Sequence, residues 1–199
     1  MTDREIAEHL DAGLAAVLEA GPIALEYFRR PMAVDDKMPG LFYDPVTEAD
    51  KRIESVIRER LSKQFPEHRI IGEEHGDSGS GDTYWIIDPI DGTRAFIAGM
   101  PMWGVLLGFV SEGKAVAGIM HQPFTGETFL ADPEGGARHI MHDETTELRT
   151  RSGVGLSDAI LCSTHPSIFM DPELRARYDG LTNQCRLQRW GGDCYGFAL

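Results

Sequence analysis

The sequence has no long apolar run. A membrane-spanning helix needs about 20 consecutive apolar residues, and the richest apolar stretch of this 199-residue chain, residues 102–110, is far shorter. The N-terminus also lacks the basic segment followed by an apolar one that marks a secretory signal. We therefore expect a cytoplasmic protein with no membrane partner.

Cysteine is scarce as well. The chain holds three cysteines, Cys162, Cys185 and Cys194, and none of them forms a C-x-x-C pair. An odd number without such a pair argues against a disulfide framework and against a zinc knuckle, and it fits a reducing compartment.

Positive charge is sparse too, with 19 Lys and Arg against 32 Asp and Glu and a net charge of −13. A duplex-binding protein presents a basic face, whereas the short basic groups here, such as residues 58–60, look like solvated helix faces. We expect no nucleic-acid partner. An acidic protein that handles a phosphate anion needs local positive charge, and a bound metal ion is the simplest supplier.

Hydrophobic residues make up 42% of the chain, which is enough for a sizeable core. Their spacing predicts an amphipathic helix over residues 3–20 that Gly21–Pro22 interrupts or kinks and that resumes to Phe28. Thr47 is a good N-cap, and Asp50 completes a capping box with it. This second helix is expected to run through Leu61 and end before Pro66, so that Asp50 lies in its first turn.

The rest of the chain reads as a mixture of strands and helices, so the predicted fold class is α+β (mixed α/β). Strands are predicted at residues 69–71, 84–87, 127–130, 159–163 and 186–190, and a β-hairpin at residues 104–120. Residues 132–158 are predicted to be less regular. Helices are predicted at residues 171–182 and 193–199.

The segment Asp88-Pro-Ile-Asp-Gly-Thr93 directly follows the apolar strand at residues 84–87. Open sheets commonly bind ligands at the carboxyl ends of their strands. Pro89 is expected to end the strand and stiffen a tight turn that aims Asp88 and Asp91 at one point. Two close carboxylates repel each other, and a hard divalent cation is the usual resolution. The carbonyl of Ile90 could add another oxygen.

Gly92 and Thr93 open a helical pattern beside this predicted metal site. Unpaired N–H groups at a helix start bind phosphate, and a glycine lets it approach the backbone. Glu73, at the end of an earlier strand, reaches the same metal if its strand lies beside that of Asp88. Thr93 and Glu73 would then orient an attacking water, an arrangement that suits hydrolysis of a phosphate ester. Taken alone, Asp-Pro and Asp-Gly pairs are also common in plain surface turns.

Residues 72–74 and 85–93 closely resemble the signature of the inositol monophosphatase family, and residues 45–50 look like its earlier motif. The resemblance runs from about residue 5 to the end of the chain. It implies a layered αβαβα sugar-phosphatase fold, Mg²⁺ ions and a homodimer. It assigns metal ligation to Glu73, Asp88, the Ile90 carbonyl and Asp91, phosphate contact to Gly92 and Thr93, and a water or further metal contact to Asp50.

Within the family, residues 27–30, 93–104 and 189–195 are similar to the histidinol-phosphatase branch. This similarity implies L-histidinol phosphate as substrate and a role in histidine biosynthesis. Inositol-1-phosphate and a 3′-phosphonucleotide are the alternative substrates. Asp193, at a helix start, could pair with a substrate ammonium group or merely cap its helix.

The sequence departs from the family pattern at its end. Family members continue to a Trp-Asp or Tyr-Asp motif that supplies another metal ligand, and this chain ends at Leu199 before it. We expect an N-terminal α+β subdomain at residues 1–130 that carries the metal and phosphate site, and a partial C-terminal α/β subdomain at residues 131–199. A non-catalytic metal-binding or interaction protein is therefore the alternative hypothesis.

Overall fold

Two long helices begin the fold and pack against each other and against a large sheet. The structure, a computed structural model, describes residues 1–31, 33–36 and 45–199. Helix α1 spans Asp3–Tyr27 and helix α2 spans Glu48–Gln64. Between them, the short strands β1 (Val34–Asp36) and β2 (Pro45–Thr47) pair antiparallel.

The large sheet has eight strands in the order β10-β9-β8-β7-β6-β5-β3-β4. Neighbouring strands are antiparallel except β3 and β5, which are parallel. The strands are β3 (Arg69–Gly72), β4 (Gly76–Ser78), β5 (Thr83–Asp91), β6 (Gly104–Ser111), β7 (Lys114–Gln122), β8 (Glu127–Asp132), β9 (Gly136–Met141) and β10 (Glu144–Leu148).

A smaller unit follows the large sheet. Strands β11 (Ile160–Ser163) and β12 (Leu187–Trp190) pair in parallel, and helix α4 (Pro172–Thr182) connects them. The short helix α3 (Thr93–Ile97) follows β5, and helix α5 (Asp193–Ala198) follows β12. This mixture of helices and sheet confirms the predicted α+β class, while the predicted division at residue 130 stays a prediction.

The core lies between the helices and one face of the sheet. Helix α1 brings small residues to it, and Gly13 lets the helix approach so closely that an added Cβ would lie 3.0 Å from side-chain carbons of Leu107 and Ile119. Burial of this apolar surface is the main stabilising contribution to the fold. The largest fully buried side chains include Trp85, Phe96, Trp103 and Phe109.

Two predictions about individual elements differ from the structure. Helix α1 is not interrupted at Gly21 and Pro22, because Gly21 packs against His121 and the buried Ala20 and Ala24 hold both flanks. An interior proline costs about 3 kcal/mol, and packing on either side offsets that cost. Strands β9 and β10 occupy part of the stretch predicted to be less regular.

None of the helices in the described ranges has the length and apolar character that crossing a membrane requires.

Candidate metal and phosphate site

The parallel pairing of β3 with β5 brings two predicted site residues to one edge of the sheet. Gly72 pairs with Ile87, so Glu73, the first residue after β3, lies beside Asp88 in β5. The charge of Glu73 acts directly on Asp88, so the two carboxyl groups face the same place. Glu73 was predicted to share a metal site with Asp88 if their strands are neighbours. The structure meets that condition.

A β-bulge, and not a tight turn, brings Asp88 and Asp91 together. Asp88 pairs with Leu106 and Asp91 with Gly104, so β5 holds one more residue than β6 between these pairs. Side chains three residues apart on a regular strand point to opposite faces, whereas the extra residue of a bulge reverses that alternation. Pro89 and Ile90 are accordingly buried in succession. The prediction that Pro89 ends the strand was wrong, since β5 continues to Asp91.

Asp88 lies at the centre of the negative charge. Burial, followed by the charges of Glu73 and Asp91, raises the pKa of Asp88 to about 8. The charge of Asp50 acts in the same direction, so Asp50 also faces this site. The Oδ1 atom of Asp88 is buried and accepts no hydrogen bond. Leaving such an oxygen without a partner is costly, so this atom fits the role of a metal ligand.

Asp50 approaches the site from the first turn of α2. Its Oδ2 accepts hydrogen bonds from the Thr47 amide (2.8 Å) and hydroxyl (2.6 Å), which confirms the predicted reciprocal contact of a capping box. Burial raises the pKa of Asp50 to about 6, and the charge of Glu74 adds to that effect. The hydrogen bonds from Thr47 oppose it.

This set of groups fits a hard divalent cation. All the side chains are carboxylates, the ligands that Mg²⁺ prefers, and they repel one another without an ion. Among residues 1–31, 33–36 and 45–199, no group of three or more His, Cys, Asp or Glu side chains is already arranged to hold a metal ion. The ligand set of Glu73, Asp88, the Ile90 carbonyl, Asp91 and Asp50 thus stays a prediction, supported by the unpartnered Asp88 oxygen.

Gly92 and Thr93 follow the bulge. Gly92 has a φ of +89°, and an added Cβ would lie 2.5 Å from the Met102 carbonyl oxygen, so only glycine fits there. Helix α3 begins at Thr93, as predicted. The Thr93 hydroxyl donates a hydrogen bond to the Ile90 carbonyl at 3.0 Å. Its oxygen therefore keeps acceptor capacity, and its proton is already engaged.

Helix α5 closes the site from the far end of the chain. The Cys194 amide donates a hydrogen bond to Asp91 Oδ2 at 2.8 Å, and the charge of Asp91 acts on neighbouring Asp193. Burial raises the pKa of Asp193, and a hydrogen bond with Thr164 lowers it. Burial and the charge of Asp91 raise the pKa of the Cys194 thiol far above its usual range, so Cys194 stays a neutral thiol.

Sequence reasoning missed one buried carboxylate beside the site. Glu54 lies one helical turn after Asp50 and is fully buried, and Arg58 pairs with it one turn later. The expectation that Arg58 belongs to a solvated face was wrong, since its side chain is only 13% exposed. The signal was a charged residue every fourth position within the apolar face formed by Ile53 and Ile57.

Comparison with known proteins shows which protein family this chain resembles. The family model described as the inositol monophosphatase family matches residues 5–186. The chain is 35% identical to a histidinol-phosphatase of Chlorobaculum parvum, over 96% of this chain and 71% of that protein. It is 32% identical to the chloroplastic bifunctional phosphatase IMPL2 of Arabidopsis thaliana, over all of this chain and 56% of that protein.

The solved structures show the same fold. An inositol monophosphatase of Zymomonas mobilis superposes with a TM-score of 0.81 at 31% identity, over 99% of this chain and 73% of that one. The suhB protein of Bartonella henselae superposes with a TM-score of 0.82 at 25% identity, over 94% of this chain and 71% of that one. These matches confirm the fold type expected from the sequence.

Proposed function

The chain belongs to the inositol monophosphatase family, and from this membership we propose that it is a Mg²⁺-dependent phosphatase of small phosphate monoesters. One observation carries the proposal. The parallel β3–β5 pair and the bulge in β5 gather Glu73, Asp88 and Asp91 around a buried Asp88 oxygen that has no partner. A bound Mg²⁺ supplies charge neutralisation at the phosphoryl group and a more acidic water.

The chain's own residues have distinct roles in this proposal. Gly92 and Thr93 bind the phosphate through their backbone N–H groups at the start of α3. Because the Thr93 proton is engaged with the Ile90 carbonyl, the Thr93 oxygen accepts a hydrogen bond from the attacking water. Glu73 accepts the second one, and the two acceptors orient the water for attack. Asp91 contacts both metal and substrate.

We propose L-histidinol phosphate as the substrate, with inositol-1-phosphate or a 3′-phosphonucleotide as alternatives. The name of the Chlorobaculum parvum relative supports this choice. Asp193 supports it too, because Gly192, and not Asp193, occupies the N-cap position of α5, and Asp193 lies close enough to Asp91 for that charge to act on it. A carboxylate beside Asp91 suits the ammonium group of histidinol phosphate. The alternative substrates have no ammonium group. The homodimer and the cytoplasmic location stay predictions.

A second candidate function is a metal-binding or interaction protein without turnover. One observation favours it: large apolar side chains, among them Met170, Trp190 and Phe197, are exposed in the region after residue 153. Exposed apolar patches mark interaction surfaces.

Phosphate release separates these candidates. The chain is assayed with L-histidinol phosphate and with inositol-1-phosphate, each with and without Mg²⁺. We expect Mg²⁺-dependent release that is faster with L-histidinol phosphate. Asp91→Asn is expected to lower the rate at least about a hundredfold, because losing a ligand exceeds the 10–100-fold cost of losing a ligand's supporting partner.

Asp158→Asn is the matched control, because Asp158 is exposed and lies in a short helical turn far along the chain. It is expected to leave the rate unchanged. Equal loss in both variants would contradict the proposed site, and Mg²⁺ binding without phosphate release from either ester would favour the non-catalytic candidate.

A further inference from the structure

The buried carboxylate of Glu54 holds the turn that follows β3. Its Oε2 accepts a hydrogen bond from the Glu74 amide at 2.6 Å, and its Oε1 accepts one from the His75 amide at 3.1 Å. Glu54 is 0% exposed. Hydrogen bonds to an ionised acceptor are roughly twice as strong as neutral ones, so this part of the turn is fixed to α2.

Arg58 compensates the buried charge and ties down the rest of the turn. Its Nε donates to Glu54 Oε1 at 2.6 Å, and its terminal nitrogens donate to the Ser78 hydroxyl at 2.9 Å and to the Gly76 carbonyl. A buried charge without a partner is strongly destabilising. The Glu54–Arg58 pair thus acts as one unit that joins α2 to β4.

Gly72 makes this contact possible. A Cβ on Gly72 would overlap the Glu54 carboxylate, so only a glycine leaves room for that group directly before Glu73. The same helix face carries Asp50 one turn earlier. One stripe of α2 therefore fixes two parts of the site, Asp50 from its own turn and the Glu73–Glu74 segment through Glu54.

We propose that Glu54 is a positioning residue, whose buried carboxylate sets the Glu73–Glu74 turn so that Glu73 meets Asp88. The inference rests on the proposed function, since it concerns the geometry of the predicted metal site. Glu54 contacts neither metal nor substrate itself. It acts through the amides of Glu74 and His75.

The test compares Glu54→Gln with Glu59→Gln, the same chemical change on the same helix at an exposed residue paired with Lys63. Mn²⁺ is the metal probe, and its dissociation constant is measured on protein that circular dichroism shows to be folded. Glu54→Gln is expected to raise that constant about 10–100-fold, as loss of a ligand's supporting partner does. It is also expected to speed amide exchange at Glu74 and His75 by about tenfold or more.

Glu59→Gln is expected to change neither quantity. A folded Glu54→Gln protein that binds Mn²⁺ as tightly as the unaltered chain would overturn the inference. If Glu54→Gln does not fold, Glu54→Asp decides in its place, because it keeps the charge beside Arg58 and shortens the reach to the Glu74 amide. An unchanged Mn²⁺ constant in Glu54→Asp overturns the inference, and a raised one supports it.

The same experiment separates this inference from the proposed function. If the unaltered chain binds Mn²⁺ but releases no phosphate, and Glu54→Gln weakens Mn²⁺ binding, the positioning role stands and the phosphatase proposal fails. If the unaltered chain is an active phosphatase and Glu54→Gln leaves Mn²⁺ binding unchanged, only the positioning role fails. An unaltered chain that binds no Mn²⁺ overturns both.

Discussion

The N-terminal region, residues 1–148, and the C-terminal region, residues 149–199, are built in different ways. The largest fully buried side chains, such as Trp85 and Phe109, all belong to the N-terminal region. In the C-terminal region, all of which the structure describes, Tyr178 and Cys194 are the buried hydrophobic residues. The comparison shows that the predicted ligands sit on a firmly packed scaffold, whereas Asp193 comes from a loosely packed one.

Hydrogen bonds from helix α5 connect the C-terminal region to the scaffold beside the site. The Cys194 amide bonds Asp91, and the Tyr195 hydroxyl donates to Glu127 Oε2 at the start of β8. The Nε2 atom of His139 is hydrogen-bonded to the other carboxylate oxygen of Glu127, Oε1, at 3.1 Å. The position of Asp193 therefore depends on a few polar contacts, while that of Asp88 depends on the core.

Shortening one leucine in each region gives the largest expected difference. Leu61 in α2 is 0% exposed and Leu174 in α4 is 53% exposed, and both are helical. Leu61→Ala is expected to lower the free energy of unfolding by about 2–5 kcal/mol, and Leu174→Ala by no more than about 0.5 kcal/mol. Urea unfolding measures both values, and losses of similar size would contradict the comparison.

The next effect compares two tyrosine hydroxyls of the C-terminal region: that of Tyr195 bonds Glu127 in the N-terminal region, and that of Tyr178 bonds Trp190 in its own region. Tyr195→Phe removes a hydrogen bond to Glu127, whose pKa burial raises but which the bonds from Tyr195 and Thr125 bring below its ordinary value. Hydrogen bonds to charged groups contribute about 1.5–3 kcal/mol, and we expect a loss of that size. Tyr178→Phe removes only a neutral bond from Trp190 Nε1, so its loss is expected to be about 0.5–1.5 kcal/mol.

Urea unfolding again provides the measurement for the two tyrosine variants. If Tyr178→Phe costs more than Tyr195→Phe, the contact between the regions is weaker than the contact within the C-terminal region. The proposed dependence of Asp193 on Glu127 would then be wrong.

Thr47→Ala tests the scaffold at its entry to the site. The substitution removes the hydroxyl that bonds Asp50, and losing such a cap costs about 1 kcal/mol. Thr47→Ser keeps the hydroxyl and is expected to retain most of the stability. Thermal unfolding of both proteins checks the prediction, and an equal loss in the two would show that the hydroxyl is not the stabilising group.

The smallest expected effect is a pH dependence. His68 stacks on His9 with ring centroids 4.9 Å apart, and burial, followed by the charge of His9, lowers the pKa of His68, while Glu67 opposes the shift. The unfolded chain takes up this proton near about pH 6.5. The folded state takes it up only at lower pH, so the contribution of His68 to stability is fully present above about pH 6.5 and is lost as the pH falls below that value.

His68→Phe keeps the stacked ring and removes the titrating group. It is expected to lose less stability than the unaltered chain between about pH 7.5 and about pH 5. Urea midpoints at the two pH values provide the measurement. Equal losses in both proteins would assign the acid sensitivity to another group, such as His121, whose pKa burial also lowers.

Local signals in the sequence predicted much of the scaffold. The capping box at Thr47 and Asp50, the hairpin of β6 and β7, and the start of α3 after Gly92 each depend on neighbouring residues. The sequence placed Glu73 at a strand end and made its approach to Asp88 conditional on the two strands being neighbours, which the β3–β5 pairing meets. Metal ligation by these residues stays a prediction.

Features that depend on distant contacts could not be predicted. Strand β10 is exposed at nearly every residue, so it has no apolar alternation to reveal it. The approach of α5 to Asp91 joins residues about a hundred positions apart. Glu54 and Arg58 have the spacing of an ordinary surface ion pair, and only the turn after β3, packed over them, shows that the pair is buried.

The bulge in β5 makes the length of the Asp88–Thr93 segment a fixed quantity. Removing one residue there would restore a regular ladder with β6 and turn Asp91, Gly92 and Thr93 to the opposite face of the sheet. Residues 79–82, between β4 and β5, are exposed and lie outside the strands, so their number does not decide which face of the sheet a side chain takes. Natural variants of this chain should therefore tolerate insertions between the two acidic motifs and none inside the second, so spacing identifies a functional member as surely as residue identity does.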